Sequence, residues 1–249
     1  MYKRTLAGYE KALGADHTST LNAVNNLGLL YIEQRKLDEA EQMHQRALTG
    51  REKALGTAHR STLDTVHNLG NVYFARGELD AVEALYQGAL AWCEKSLGMD
   101  HASTLETVNN LGNLYHEKGK LDEAEQLHQR APADKEKTIG MNHTSTLDTV
   151  NNLAITFHDQ GKLAEAEQKY KRALAGKEQT IGIDHSLTVN TINNLGVLYC
   201  DQGKLDEAMQ MHKRALARRE ILLGLDHRLT LESVNNLGII HVKQGELDE

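Results

Sequence analysis

The sequence has few cysteines and no long apolar run. Its 249 residues include only Cys93 and Cys200, which are too few for a disulfide scaffold. We interpret both as free thiols and expect a reducing, cytoplasmic location. No stretch of about 20 apolar residues exists, so no segment is predicted to span a membrane. Residues 1–14 are charged and amphipathic, unlike a secretory signal peptide.

The sequence also lacks an excess of positive charge and the common catalytic motifs. The formal net charge is −7, which disfavours general binding to nucleic acid or to anionic membranes. It contains no glycine-rich phosphate loop, zinc-protease motif or nucleophile elbow. We therefore expect no enzyme activity, no cofactor and no metal site.

The most informative segment is 104–131, which carries two helical periodicities separated by Gly119 and Lys120. Apolar and small residues three and four apart line one face of each predicted helix, namely Leu105, Val108, Leu111, Gly112 and Tyr115 before the turn and Leu121, Ala124, Leu127, His128 and Ala131 after it. Residues at these spacings are neighbours on a helix, so the segment is predicted to be a helix–turn–helix hairpin.

The hairpin recurs every 42 residues along the whole chain. The step is kept by His17, His59, His101, His143, His185 and His227, and by Leu27, Leu69, Leu111, Leu153, Leu195 and Leu237. The histidines lie one per repeat, too far apart to share a metal ion. We expect them to cap or pack the loops between repeats.

Glycines recur at three positions of the repeat. Gly28 and its equivalents follow a core leucine within the first helix, where we expect close approach of the second helix to offset the cost of glycine. Gly77 and its equivalents end the first helix in a left-handed conformation, and Arg35 in that position should be mildly strained. Gly98 and its equivalents are expected to end the second helix in the same manner.

The start of each first helix has two candidate caps. The residue at Asp100 is Asp or Asn in most repeats, which suits an N-cap. Alternatively, Ser103 and Glu106 would form a capping box if the helix begins slightly later. The sequence leaves both starts open.

The pattern resembles the tetratricopeptide repeat, in the 42-residue form typical of kinesin light chains. NNLGNLYHEKGKLDEAEQLHQRA resembles the hairpin of that family, and EKSLGMDHAST resembles its linker. Two departures are the missing proline after the linker histidine and Val82, where other repeats have a small alanine. The resemblance implies an all-α fold: a right-handed α-solenoid of stacked antiparallel helix hairpins, the tetratricopeptide superhelix.

The repeat also predicts the boundaries of the units. Residues 1–14 match a second helix, complete repeats are predicted at 15–56, 57–98, 99–140, 141–182 and 183–224, and residues 225–249 match a first helix and its turn. This gives about twelve helices and no strands. Neither end has a polar cap, so we expect a fragment of a longer array whose uncapped repeats associate end to end.

The single proline, Pro132, falls within a predicted second helix, where other repeats have leucine. Proline removes a helical hydrogen bond and clashes with the preceding turn, at a cost of about 3 kcal/mol. We expect a kink or a loosened turn around residues 128–136. Either drift tolerated by the stack or a hinge would account for it.

The resemblance implies that the first helices line a concave groove, where we place a peptide-binding site. Three rows of the repeat supply its predicted residues, namely Asn25, His67, Asn109, Asn151, Asn193 and Asn235, then Asn71 and Asn113, then His116 and His158. An Asn amide both donates and accepts, which matches a peptide backbone. The alternative is that these amides bond within the stack, as we expect of the following Asn row at Asn68 and Asn110.

Carboxylates dominate the predicted rims of the groove, at Asp64, Glu106, Asp148 and Glu232 on one side and Glu33, Glu117, Asp159 and Asp201 on the other, against Lys243. A neutral to basic partner therefore fits better than an acidic one. The sequence predicts a non-catalytic protein–protein interaction scaffold that binds an extended peptide, similar to kinesin light chains. The alternative is a sensor or regulatory array of a larger signalling NTPase.

Overall fold

The computed structural model describes residues 2–245, and within them the chain forms twelve α-helices and no strand. It divides into two compact units, residues 1–118 and 119–249. The helices of the first unit are α1 Tyr2–Leu13, α2 Thr18–Glu33, α3 Leu37–Leu55, α4 Arg60–Ala75, α5 Leu79–Leu97 and α6 Ala102–Glu117. Those of the second are α7 Leu121–Thr138, α8 Thr144–Asp159, α9 Leu163–Thr180, α10 Ser186–Asp201, α11 Leu205–Leu223 and α12 Arg228–Gln244. The all-α helical repeat fold is confirmed.

Within each unit, every helix packs on the helix before it and the helix after it in sequence. The apolar stripes predicted from the repeat face these neighbours. In the first helices, Val66 and Val108 are buried, and in the second helices Ala47, Ala131 and Ala173 are buried. Val82 is also buried, so the larger side chain fits where other repeats have alanine. First helices also touch the next first helix, as α2 touches α4 and α8 touches α10.

The linker histidines are the N-caps of the first helices. In α6, the Nδ1 atom of His101 accepts a hydrogen bond from the backbone N–H of Ser103, at 3.2 Å. The same bond begins α2, α4, α8, α10 and α12. The expectation that these histidines cap the loops is confirmed. Both proposed helix starts were wrong, because the cap lies one residue after Asp100 and two before Ser103.

A threonine closes each linker, which the sequence reading missed. The hydroxyl of Thr104 donates to the carbonyl oxygen of Gly98, at 2.7 Å. The other linkers have the same bond, from Thr20, Thr62, Thr146, Thr188 and Thr230. Gly98 itself has φ 94° and ψ 164°. The second helix therefore ends in an extended positive-φ conformation that only glycine adopts easily, not in the left-handed turn we expected.

The first helices do end in the left-handed conformation, as predicted. Gly245 has φ 76° and ψ 18° after α12. Arg35 occupies the equivalent position after α2 with φ 56°, the one positive value for a non-glycine among the described residues. Because a Cβ atom is crowded in this region, Arg35 carries the strain expected of it.

Pro132 does not interrupt its helix. α7 is assigned as one continuous helix with Pro132 inside it, and the proline is buried. Its length of 18 residues equals that of α9, which has leucine at the same position. The chain therefore keeps its helical path through the proline, and the kink around residues 128–136 stays a prediction.

Candidate ligand-binding face of the first helices

Asn25, on α2, is mostly buried, and its amide oxygen bonds to two neighbours. Oδ1 lies 3.2 Å from Nδ1 of His44 on α3, and it accepts a hydrogen bond from Nδ2 of Asn68 on α4, at 3.2 Å. The acceptor half of the amide is therefore used inside the stack. Our prediction that both halves would be available to a ligand needs correction here, whereas the predicted stacking role of Asn68 is confirmed.

His67 occupies the equivalent position on α4 and is exposed. Its Nδ1 lies 3.4 Å from the hydroxyl of Tyr86 and 3.3 Å from Nδ2 of Asn110. The amide nitrogen can only donate, and burial raises the pKa of Tyr86 to about 12, so its hydroxyl keeps its proton. Nδ1 is therefore the acceptor of both contacts, which leaves Nε2 as the ring nitrogen that can donate. His67 is thus a donor with its acceptor occupied, like Asn25.

The second unit repeats this arrangement at Asn193 on α10. Oδ1 of Asn193 lies 3.5 Å from Nη1 of Arg219 and 3.5 Å from Nδ2 of Asn236. Oδ1 of Asn151, on α8, accepts a hydrogen bond from the hydroxyl of Thr191, at 3.1 Å. Asn109 and Asn193 are buried, and Asn235 is exposed. The amide oxygens of Asn25, Asn151 and Asn193 therefore all bond to neighbouring helices.

The next row differs between the units. In the first unit Asn71 and Asn113 are exposed. In the second unit the matching positions are aliphatic, and Val197 and Ile239 are exposed. Leu29, at this position of α2, is exposed as well. In this row α4 and α6 therefore offer amides, whereas α2 and the first helices of the second unit offer apolar contact.

The third predicted row lies near the ends of the first helices. His116 and His158 are both half-buried. Nε2 of His158 lies 2.8 Å from a carboxylate oxygen of Asp201, on the following first helix. This hydrogen bond connects α8 and α10, so Asp201 is not an unpaired rim carboxylate.

Other rim carboxylates also have internal partners. Asp148 lies 2.8 Å from Nζ of Lys177, which is almost fully buried. Glu232 lies 3.7 Å from Arg228, one helical turn earlier. In the first unit Glu33, Asp64 and Glu117 are exposed. The acidic character expected of the whole face is therefore clearest in the first unit.

A row of buried cations is the main feature that the sequence reading missed. Arg51, on α3, donates to the carbonyl oxygen of Ser61 at 2.7 Å and to Oδ1 of Asn22 at 2.6 Å. Lys135, Lys177 and Arg219 are also buried at this step of 42 residues, and Cys93 replaces the cation in one repeat. Each cation bonds to the first helix that follows it.

Two histidines of the second helices are buried without a carboxylate partner. Burial lowers the pKa of His44 and His212 to about 4, and the positive charges of Arg51 and Arg219 act in the same direction. Both rings are therefore neutral at pH 7. His44 packs on Gly28 and bonds to Asn25, so it supports the predicted peptide-binding row from the side of α3.

Metal sites and membrane spans are two further classes of feature that residues 2–245 could contain. No group of three or more His, Cys, Asp or Glu side chains is arranged to hold a metal ion there. In the same range, no helix is both long and apolar enough to cross a bilayer.

The stacked hairpins, capped linkers and small residues at helix contacts define a helical repeat protein of the tetratricopeptide class. Family models described as the tetratricopeptide repeat match residues 20–61, 61–137, 145–221 and 187–249. These matches cover most of the sequence. The chain belongs to the tetratricopeptide repeat family. No curated protein matches it.

Solved structures have the same fold. BtubC (BKLC) from P. vanneervenii is 23% identical with a TM-score of 0.74, over 84% of each chain. Nearly identical TPR-like repeats of a Podospora anserina protein described as a kinesin light chain are 24% identical, with a TM-score of 0.65 over 83% of this chain and 98% of that one. PilF of Pseudomonas aeruginosa is 17% identical, with a TM-score of 0.59 over 92% and 91%. At these identities the likeness concerns the fold alone.

Proposed function

We propose that this chain is a non-catalytic interaction scaffold whose first helices bind an extended segment of a partner protein. The observation that carries the proposal is the bonding of Asn25 and His67. Each has its acceptor atom occupied inside the stack, so what it can offer a ligand is an N–H donor. The carbonyl oxygens of an extended peptide are the matching acceptors, and they are available whatever the peptide's sequence.

The geometry of the repeat fits such a ligand. First helices in contact lie about 10 Å apart, and an extended chain advances about 3.3 Å per residue. One donor would therefore meet about every third residue of the peptide. We propose one such row in each unit: Asn25, His67 and Asn109 in the first, and Asn151, Asn193 and Asn235 in the second.

Surface chemistry suggests what the partner's side chains are. In the first unit, Glu33, Asp64 and Glu117 are exposed, and so are Asn71 and Asn113, which favours a neutral to basic polar segment. In the second unit, Val197 and Ile239 favour aliphatic side chains. We propose that His116 in the first unit and His158 in the second also contact the peptide.

The test measures peptide binding with variants that separate donor from acceptor. A peptide array would select ligands, and calorimetry would measure their affinity. Asn25→Asp keeps the oxygen that bonds to Asn68 but removes the donor, and Asn113→Ala removes an exposed amide. Both should weaken binding about threefold to tenfold, in line with one hydrogen bond each. Gln42→Ala, on the exposed surface of α3, is the control and should bind normally. Unchanged affinity in both site variants, with normal circular dichroism, would reject the proposal.

Location and further partners belong to the same proposal. Cys93 and Cys200 are free thiols, which favours a reducing compartment such as the cytoplasm. The regulatory array of a larger signalling NTPase stays an alternative prediction, because it concerns residues outside this sequence. A second copy of the chain is a further protein partner that we propose.

A further inference from the structure

The row of buried cations is interrupted at Cys93, on α5. In other repeats the cation joins two successive first helices. Nζ of Lys177 lies 2.8 Å from Oδ1 of Asp148 on α8 and 3.1 Å from Oγ1 of Thr191 on α10. Arg51 joins α2 and α4 in the same way. The cysteine therefore removes a positive charge that the repeat normally places between two first helices.

The oxygen atoms that bind this cation in other repeats have equivalents beside Cys93. By register, Asp64 on α4 occupies the position of Asp148, and Thr107 on α6 occupies that of Thr191. Burial raises the pKa of Cys93, and a hydrogen bond with Thr107 acts in the opposite direction. The thiol is therefore neutral at pH 7 and lies beside Thr107. Cysteine ends at its γ atom, whereas lysine continues to its ζ atom.

Solvent reaches the contact beside Cys93. Thr107 is 7% exposed, whereas the matching Thr65, Thr149 and Thr191, each beside a cation, are 0% exposed. The hydroxyl of Thr107 donates to the carbonyl oxygen of Ser103, at 2.9 Å, so its oxygen can accept a hydrogen bond from a ligand. The shorter side chain of the cysteine therefore leaves an accessible acceptor.

Asp64 supplies the negative charge at this place. Its side chain is exposed on α4. Burial lowers the pKa of Arg51, and the charge of Asp64 acts in the opposite direction, so the two groups interact. The guanidinium of Arg51, however, donates its hydrogen bonds to Asn22, Ser61 and Thr65. The carboxylate of Asp64 is therefore accessible to a cation from outside the chain.

The position on α4 connects these groups with the predicted peptide row. Asp64 precedes His67 by three residues, so the two side chains are neighbours on one face of the helix. One helical turn is about 5.4 Å, which the four-carbon stem of a lysine spans. A peptide that runs past His67 can therefore reach Asp64 with a side chain.

We propose that Asp64 and Thr107 bind an alkylammonium group, supplied by a lysine side chain of the partner segment. Its Nζ donates to the carboxylate of Asp64 and to the hydroxyl oxygen of Thr107, as Nζ of Lys177 does to Asp148 and Thr191. The inference rests on the proposed function, because the segment must lie along the first helices. It adds a preference for lysine and fixes the register of the peptide at α4 and α6.

n-Butylammonium chloride tests the site without a peptide. It should shift the backbone NMR signals of Asp64 and Thr107, and it should raise the urea midpoint more than sodium chloride at equal ionic strength, because it binds the folded state. Cys93→Lys places a tethered ammonium group there, as Lys135 and Lys177 do in their repeats, and should abolish both effects. Cys93→Ala should keep them. No response of the unaltered chain, or an equal response of Cys93→Lys, would overturn the proposal.

An exposed substitution gives the same test without a change in the core. Asp64→Asn removes the charge and should weaken binding of n-butylammonium by about threefold to tenfold. Glu39→Gln, on the exposed surface of α3, removes a carboxylate elsewhere and is the control, which should bind the amine as the unaltered chain does. Equal affinities of the two variants would contradict the role of Asp64.

Peptides then identify the source of the ammonium group. For peptides selected on the array, replacing lysine by norleucine should weaken binding to the unaltered chain about threefold to tenfold and should not weaken binding to Cys93→Lys. Peptide binding without any preference for lysine would refute the inference and leave the scaffold function standing. Binding of n-butylammonium without binding of any peptide would assign the site to a free amine and overturn the lysine assignment.

Discussion

The hydroxyl oxygen of Tyr86, on α5, lies 2.5 Å from the position that a Cβ atom on Gly70 of α4 would occupy. The ring of Tyr86 is buried there, and its hydroxyl reaches Nδ1 of His67. Glycine at position 70 is therefore required by contact between two helices, not by backbone conformation. The sequence predicted this close approach from the position of the glycine next to a core leucine.

Gly70→Ala should destabilise the fold by about 1–3 kcal/mol, because the tyrosine ring and the backbone must shift to admit the methyl group. Urea unfolding followed by circular dichroism measures the change. The matched control is Gly88→Ala, since Gly88 lies inside α5 with open space around it. That substitution should stabilise the helix by up to about 1 kcal/mol. Equal effects of the two substitutions would contradict the packing argument.

The positive φ of Arg35 predicts a stabilising substitution. Arg35→Gly removes a crowded Cβ atom from a left-handed residue and should raise the free energy of unfolding by about 1 kcal/mol. Gln34 precedes it with φ −82°, so Gln34→Gly should bring no gain and is the control. The same urea experiment applies. A destabilised Arg35→Gly would mean that the arginine side chain has contacts that outweigh the strain.

The linker histidines offer a test of capping. His101→Ala leaves the N–H of Ser103 without its acceptor and should cost about 0.5–2 kcal/mol. His101→Asn supplies another side-chain acceptor at the cap and should recover most of the loss. Hydrogen exchange of the first turn of α6 gives a local readout beside global unfolding. If His101→Ala had the same free energy of unfolding as the unaltered chain, the hydrogen bond to Ser103 would contribute nothing to stability.

The sequence predicted the elements whose residue type is fixed by geometry. Gly77 must have a positive φ and Ala47 must be small. The same residue type therefore recurs at these positions of the repeat and can be recognised in the sequence. Features that depend on side-chain hydrogen bonds were harder to predict from the sequence. The position of the buried cations is occupied by Arg51, Cys93 and Lys135 in successive repeats. Because the residue type changes, the sequence alone does not reveal the row. The sequence predicted that Asn25 belongs to a row of equivalent side chains, but it could not show that His44 and Asn68 bond to the amide oxygen.

Buried histidines predict how stability depends on pH. The pKa of His44 and of His212 is lowered to about 4 in the folded chain, first by burial and second by Arg51 or Arg219. In the unfolded chain each returns to about 6.5. Between these values the unfolded state binds more protons, so stability is full above about pH 6.5 and falls as the pH falls toward 4. Each histidine accounts for up to about 3 kcal/mol of this loss.

The repeat itself supplies the variant that tests this. Tyrosine occupies the position of His44 at Tyr86 and Tyr170, so His44→Tyr fits the site and removes the titrating group. Urea unfolding at about pH 7.5 and about pH 4.5 should then show a smaller difference in stability than in the unaltered chain. His67→Asn, at an exposed position where other repeats have asparagine, is the control and should keep the original difference. If His44→Tyr showed the same difference in stability between the two pH values as the unaltered chain, protonation of the His44 ring would not be the cause of acid sensitivity.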